Sequence, residues 1–248
     1  MSAELIQHVI FTRFSVRIGD ATVPQPRAWI DERIALLERF TLPSIRAQQS
    51  ADFTWRLLCD VQTDPDVAEH LRALDPRIRL AMIGPKPEHG AVRAQADMVA
   101  DRWRIDGAIR PETTTLIQTR LDSDDAIHPA FLQDVTDEMP IFLVSGSQDW
   151  LRVAACGYQY DVASRRLYRR IFPRGPFQSY YQRIVPGRPP LQMPANHGAA
   201  TLTTVGLASY ERWSWLQVVH GGNIHNRIFA RNEELDVAGI GRVFGIDL

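Results

Sequence analysis

The feature that most constrains this chain is an alternation within its first 120 residues. Short, nearly continuous apolar runs take turns with stretches whose apolar residues recur every three or four positions. "HVIFTRF" (8–14), "TWRLLCD" (54–60), "IRLAMI" (78–83) and "TTLIQT" (114–119) read as strands buried on both faces. Between the first two, Ile30, Ile34 and Leu37 form an amphipathic stripe, which Pro43 interrupts before a further helical piece at 44–49. Val67, Leu71 and Leu74 form a second stripe behind Asp64 and Pro65, an N-cap residue followed by proline at the first helical position, and Asp75 and Pro76 stop it. Val92, Ala96, Val99 and Trp103 predict a third helix. Four strands joined by three helices imply βαβ crossovers, hence an α/β fold with a mainly parallel, doubly wound central sheet and flanking helices. In such sheets ligands bind beyond the carboxyl ends of the strands.

The second half has a different texture. "IFLVS" (141–145) and "DWLRVAACGYQY" (149–160) predict further strands, "DVASRRLYRRIF" (161–172) predicts a hairpin return with a basic face, and 174–194 reads as loop with at most a short helix. This is a smaller mixed region beside the parallel half.

Immediately after the fourth strand run, "TRLDSDDAIHPAF" crowds Asp122, Asp124 and Asp125 into four positions. Like charges this close repel unless a cation or several donors sit against them. In an extended segment residues i and i+2 point the same way, so Asp122 and Asp124 can converge on one divalent cation of the kind that prefers oxygen ligands, Mg²⁺ or Mn²⁺. The plainer alternative is that one Asp caps the helix starting near His128 and the others are solvated. An EF-hand beginning at Asp122 fails, because Ala126, Ile127 and Gln133 stand where ligand, glycine and glutamate belong.

Taken with "HVIFTRFSVR", "FTLPSIRAQQSADFTWRLLCD" and the late "WSWLQVVHGGN", that block gives the chain four ordered segments from about His8 to Asn226. In these segments the sequence resembles the putative rhamnosyltransferase family, bacterial glycosyltransferases of GT-A fold. The resemblance implies one GT-A domain over 1–248, with a nucleotide-sugar half at about 1–128 and an acceptor half at about 129–248. It implies that Asp122 and Asp124 are an Asp-x-Asp element holding Mn²⁺ or Mg²⁺ on the diphosphate of a dTDP-, UDP- or GDP-sugar. It also implies that His220 completes the metal shell, and that Thr12, Arg13, Asp60 and Arg93 bind the nucleotide-sugar. A base for the acceptor hydroxyl belongs in the second half, where Asp149 and Glu211 qualify by position. A retaining reaction would need none.

The partners expected are a nucleotide-sugar donor and a glycan or other hydroxyl acceptor. With a formal net charge of −1 the chain has no global attraction for nucleic acid. No apolar run is long enough to span a membrane, while the basic run Arg165, Arg166, Arg169, Arg170 and Arg174 leaves peripheral membrane contact open beside the plainer reading of a solvated hairpin. Cys59 and Cys156 lie in separate apolar runs and predict buried free thiols, in keeping with the cytoplasm. Two other classes stay open: another metal-dependent nucleotide-sugar enzyme such as a nucleotidyltransferase, and a non-catalytic nucleotide- or sugar-binding module.

Overall fold

A computed structural model describes residues 5–16, 23–50, 52–84, 109–185, 206–222, 228, 234–235, 237 and 239–248. Its first strands follow the apolar runs closely: β1 (Ile6–Arg13), β2 (Thr54–Asp60), β3 (Ile78–Ile83) and β4 (Thr115–Arg120). They pair in the order β3, β2, β1, β4, all parallel. Their alternate residues build two faces. Ile10, Trp55, Leu57 and Cys59 join Ile30, Leu37, Val67 and Leu71 in the main core, whereas Val9 and Leu116 pack in a separate cluster.

The helical stripes fold as α1 (Arg27–Leu36) and α3 (Pro65–Leu74), the latter with Asp64 at its N-cap. Pro43 does not end the first helix. The chain passes through a π-helical turn (Leu37–Thr41) into α2 (Leu42–Arg46), where Pro43 occupies the first turn and needs no N–H partner. The π turn has a use: Thr41 Oγ1 donates to the Asp125 carbonyl at 2.8 Å, tying this helix to the acidic loop. The helix expected over 92–103 lies outside the described residues.

Two elements of the second half differ from expectation. "IFLVS" is helical, within α5 (Met139–Ser145), because Pro140 opens it, Met139 and Phe142 fall on one buried face, and Gly146 closes it in the left-handed conformation. It follows α4 (Phe131–Asp137). The stretch read as loop contains β8 (Gln178–Arg183), which lies antiparallel between β4 and β6 (Asp149–Asp161). β6 also pairs with β7 (Arg166–Ile171), the expected hairpin return, and runs parallel to β9 (Gly206–Val219) through two register shifts. Two short strands complete the sheet: β5 (Ala126–Ile127) on β9, and β10 (Glu234–Leu235) on β7. A short helix, α6 (Ile240–Phe244), ends the described chain. The result is the expected α/β architecture, a parallel central sheet continued by a mixed region. Cys59 and Cys156 are buried and free, and burial pushes the Cys59 thiol up to about 12.

For the site, β5 is the decisive small element. It pins Ala126 opposite Leu216, so the acidic loop is clamped between the end of β4 and the last residues of β9.

Candidate functional site

The three carboxylates sit beyond the carboxyl end of β4, and each is held differently. Asp124 is almost enclosed, with 6% of its side chain exposed, and its Oδ2 accepts from two groups. Arg33 Nη1 on α1 donates at 2.9 Å, and His220 Nε2, just past β9, donates at 2.9 Å. Arg33 Nη2 also reaches the Gly222 carbonyl at 3.2 Å, and its guanidinium lies 4.9 Å from the Trp29 ring. Three distant segments therefore meet on one carboxylate.

His220 is oriented from behind. The Gly222 N–H donates to Nδ1 at 3.1 Å, which leaves the proton of the neutral ring on Nε2, facing Asp124. A metal-ligating imidazole normally donates its second ring N–H to an acceptor. Here that ring nitrogen is itself an acceptor, and Nε2 is turned to Asp124. Glu32 Oε1 lies 3.7 Å from the same Nδ1, its side chain half-exposed.

Asp122 is the outward member, 26% exposed, with Arg13 Nη2 at 3.4 Å and Arg120 Nη2 at 3.7 Å from its Oδ1. Arg120 is enclosed, and burial lowers its pKa, with Asp122 acting in the opposite sense. Asp125 is the innermost. Its backbone N–H closes a turn on the Asp122 carbonyl and its Oδ1 accepts from the Val218 N–H at 2.9 Å. Burial, followed by the Asp124 and Asp122 charges, raises its pKa well above the usual carboxylate range. It does not cap a helix: Ala130 precedes α4, and the His128 ring accepts the Ala130 N–H. The crowding of carboxylates is thus offset by three arginines, an imidazole and a backbone N–H.

The other expected site residues are placed as follows. Arg13 reaches the site, at the exposed end of β1. Thr12 is fully buried, with its Oγ1 accepting from the Trp55 indole at 2.9 Å, so its side chain serves the core and not a nucleotide. Asp60 ends β2 in a buried position and accepts the Gln62 N–H at 2.8 Å in a local turn. Arg93 lies outside the described residues.

Neither expected base is near the cluster. Asp149 pairs with Gln182, which pairs with Leu116 near the start of β4, and it accepts a hydrogen bond from Tyr180. That puts it at the opposite end of the strands from Asp122. Glu211 is exposed on β9, nine residues before His220, and with the register shifts of β9 allowed for it lies about 20 Å back along the strand. It neighbours Glu138, whose pKa is raised mainly by burial. Strand register excludes both from chemistry at Asp122.

Two residues that sequence reasoning missed do reach the cluster. Arg33 stands three after Ile30 and four before Leu37, inside the buried stripe, and an arginine there needs a buried partner. Arg120 stands two before Asp122 at the strand end.

The donor set fits a hard divalent cation in part. Asp122 and Asp124 offer oxygen ligands at the ligand edge, but among the described residues no three His, Cys, Asp or Glu side chains are gathered as a metal cage. Also among the described residues, no helix is long and apolar enough to cross a membrane.

Residues 22–158, more than half of the chain, match the model of a family described as putative rhamnosyl transferase. No curated protein matches. Among solved structures, that of S. aureus TarS 1-349 in complex with UDP-GlcNAc is similar at 12% identity and a TM-score of 0.45, covering 88% of this chain and 60% of that one. A putative nucleotide-diphospho-sugar transferase from Desulfovibrio desulfuricans G20 is similar at 10% identity and a TM-score of 0.39, covering 87% of this chain and 81% of that one. A 4-diphosphocytidyl-2C-methyl-D-erythritol synthase is similar at 8% identity and a TM-score of 0.39, covering 96% and 99%. The chain spans 60% of the length of the TarS 1-349 structure.

Proposed function

Because the chain belongs to the putative rhamnosyl transferase family, we propose that it is a glycosyltransferase moving a sugar, rhamnose in the first instance, from a nucleotide-diphosphate donor to a hydroxyl acceptor. One observation carries the reading: Asp122 and Arg13 face outward side by side at the carboxyl edge of a parallel sheet, where α/β folds bind nucleotides. Arg13 is placed to grip a diphosphate through its planar fork, with Arg120 adding positive charge behind. Arg33 and His220 hold Asp124 in one orientation, so the loop carrying Asp122 is set before any ligand arrives.

Asp122 and Asp124 are the residues that would hold Mn²⁺ or Mg²⁺. When bound, such an ion supplies Lewis-acid neutralisation of charge on the leaving diphosphate. Glu32 adds a half-exposed carboxylate beside His220 that can accept a hydrogen bond from a sugar hydroxyl.

The test is isothermal titration of dTDP, UDP and GDP with and without Mn²⁺, on the native chain, Asp122→Asn and Arg13→Ala. One nucleotide should bind, more tightly with Mn²⁺, and each variant should weaken it by about tenfold or more, as expected for loss of a charged contact. Asp149→Asn, at the opposite edge, should bind like the native chain. Absence of nucleotide binding, or binding that neither Asp122→Asn nor Arg13→Ala touches, would overturn the proposal.

A further inference from the structure

At the other end of the same strands lies a cavity of about 670 Å³. Gln7 and His8 of β1, Phe53 and Thr54 at the start of β2, Arg56, and Ile78 to Leu80 of β3 line it, with Asp52, Arg72 and Arg110. The walls are built in two layers. Gln7, His8, Phe53, Arg56 and Ile78 are buried, whereas Asp52, Arg72, Arg79 and Arg110 stand exposed at the rim. Four guanidiniums thus face one carboxylate among the described lining residues, in a chain whose formal net charge is −1.

Arginines at this edge have an ordinary structural use, which their neighbours show. Arg46 donates to the Leu74 carbonyl and Arg77 makes a bidentate pair with Asp75. The rim arginines are not used up in this way. The Arg72 side chain makes no hydrogen bond or ion pair among the described residues. Among the described residues the Arg79 side chain donates through Nη1 alone, to the Pro76 and Ile78 carbonyls, and Arg110 through Nη2 alone, to the Ile6 carbonyl. Arg110 is also fixed at its backbone, whose N–H donates to Gln7 Oε1 at 3.0 Å. Each guanidinium has five N–H donors, so the bonds made among the described residues use only a minor part of this capacity. A concave wall of net positive charge concentrates small anions, and planar forks suit phosphate in particular. Phe53, Ile78 and Leu80 supply surface for an organic body, and the volume matches that of small-molecule sites.

We propose that this cleft is a second ligand site, for a phosphate-bearing small molecule, separate from the edge that carries Asp122. From Gln7 to Arg13 along β1 the two lie about 20 Å apart. The ligand's phosphate sits among Arg72, Arg79 and Arg110 with the buried Arg56 beneath, and its body lies against Phe53 and Leu80. The site does not depend on the sugar-transfer reading and would stand if that reading failed.

Inorganic pyrophosphate, titrated calorimetrically in metal-free buffer, tests it. The native chain and Arg13→Ala should bind with affinity that falls steeply with added NaCl, and Arg72→Ala/Arg79→Ala should bind about tenfold or more weakly with an unchanged melting temperature. Arg72→Lys/Arg79→Lys, which keeps the charge and loses the forks, should fall between. No binding to the native chain would overturn the proposal. So would binding that Arg13→Ala abolishes and the double alanine variant leaves intact, since that would place the anion at the other edge.

Discussion

Replacing Arg33 by Met removes a charge from a nearly closed site while keeping the stem that packs near Trp29. Asp124 would keep His220, but Gly222 would lose its side-chain donor and a carboxylate 6% exposed would lose its main counter-charge. Breaking a buried pair from one side costs about 3–5 kcal/mol, and the remaining imidazole contact argues for the lower end, about 3 kcal/mol. In a chain of 248 residues each kcal/mol corresponds to roughly 2–4 °C, so Arg33→Met should melt about 6–12 °C below the native chain. Asp124→Asn leaves the opposite imbalance, a buried guanidinium facing a neutral amide, and should also destabilise. In the double variant neither charge is stranded. Its loss should therefore be smaller than the sum of the single losses, by about 1–3 kcal/mol in a urea-denaturation cycle at constant pH. Additivity within about 0.5 kcal/mol, or a single-variant shift under about 2 °C, would refute the claim that this pair organises the site.

Two further outcomes can be checked on the folded chain. His8 is buried with its pKa lowered by desolvation to about 3, so the folded state refuses a proton that the unfolded chain accepts near 6.5. The associated stability is complete above about pH 6.5 and is lost by roughly 1.4 kcal/mol per unit as pH falls toward 3, and His8→Gln should flatten that slope in urea titrations at pH 7, 6 and 5; an unchanged slope would contradict it. At Gly157 an added Cβ would lie 2.0–2.5 Å from the Trp215 ring, which is stacked 4.6 Å from Phe177 and bonded through Nε1 to the Ala154 carbonyl. Gly157→Ala should therefore cost about 1–3 kcal/mol or more by thermal melting, and a variant as stable as the native chain would show that the indole can move.

How far the sequence could be read followed from what each residue's environment depends on. The parallel strands were legible because burial on both faces makes them nearly continuous apolar runs, and β2 and β3 occupy their runs end to end. β8 escaped notice because "QSYYQR" mixes polar residues into a buried strand. Some of these find partners far off in sequence, as in the Ser179 to Thr119 hydroxyl bond, which local pattern cannot show. "IFLVS" has strand-like composition, and only Pro140 before it and Gly146 behind it announce a helix. At the site, the Asp-x-Asp spacing and the His-Gly-Gly turn were local and readable. Arg33 was hidden by a separation of 91 positions from its carboxylate. Asp149 and Glu211 were misplaced for a related reason: which end of a sheet a residue occupies is set by strand direction and register, and no local spacing encodes that.

The bond from Arg33 to the Gly222 carbonyl joins residues 189 positions apart, and it has a kinetic consequence. Closing so long a loop is entropically slow, and contacts of this separation reward the chain only after the strands between have paired. As the chain leaves the ribosome, α1 emerges early and must wait for β9 before Arg33 meets its partners. The candidate site is therefore one of the last parts to assemble, and a ligand bound there would act as a latch on the finished topology, slowing unfolding of the whole chain more than that of any single segment.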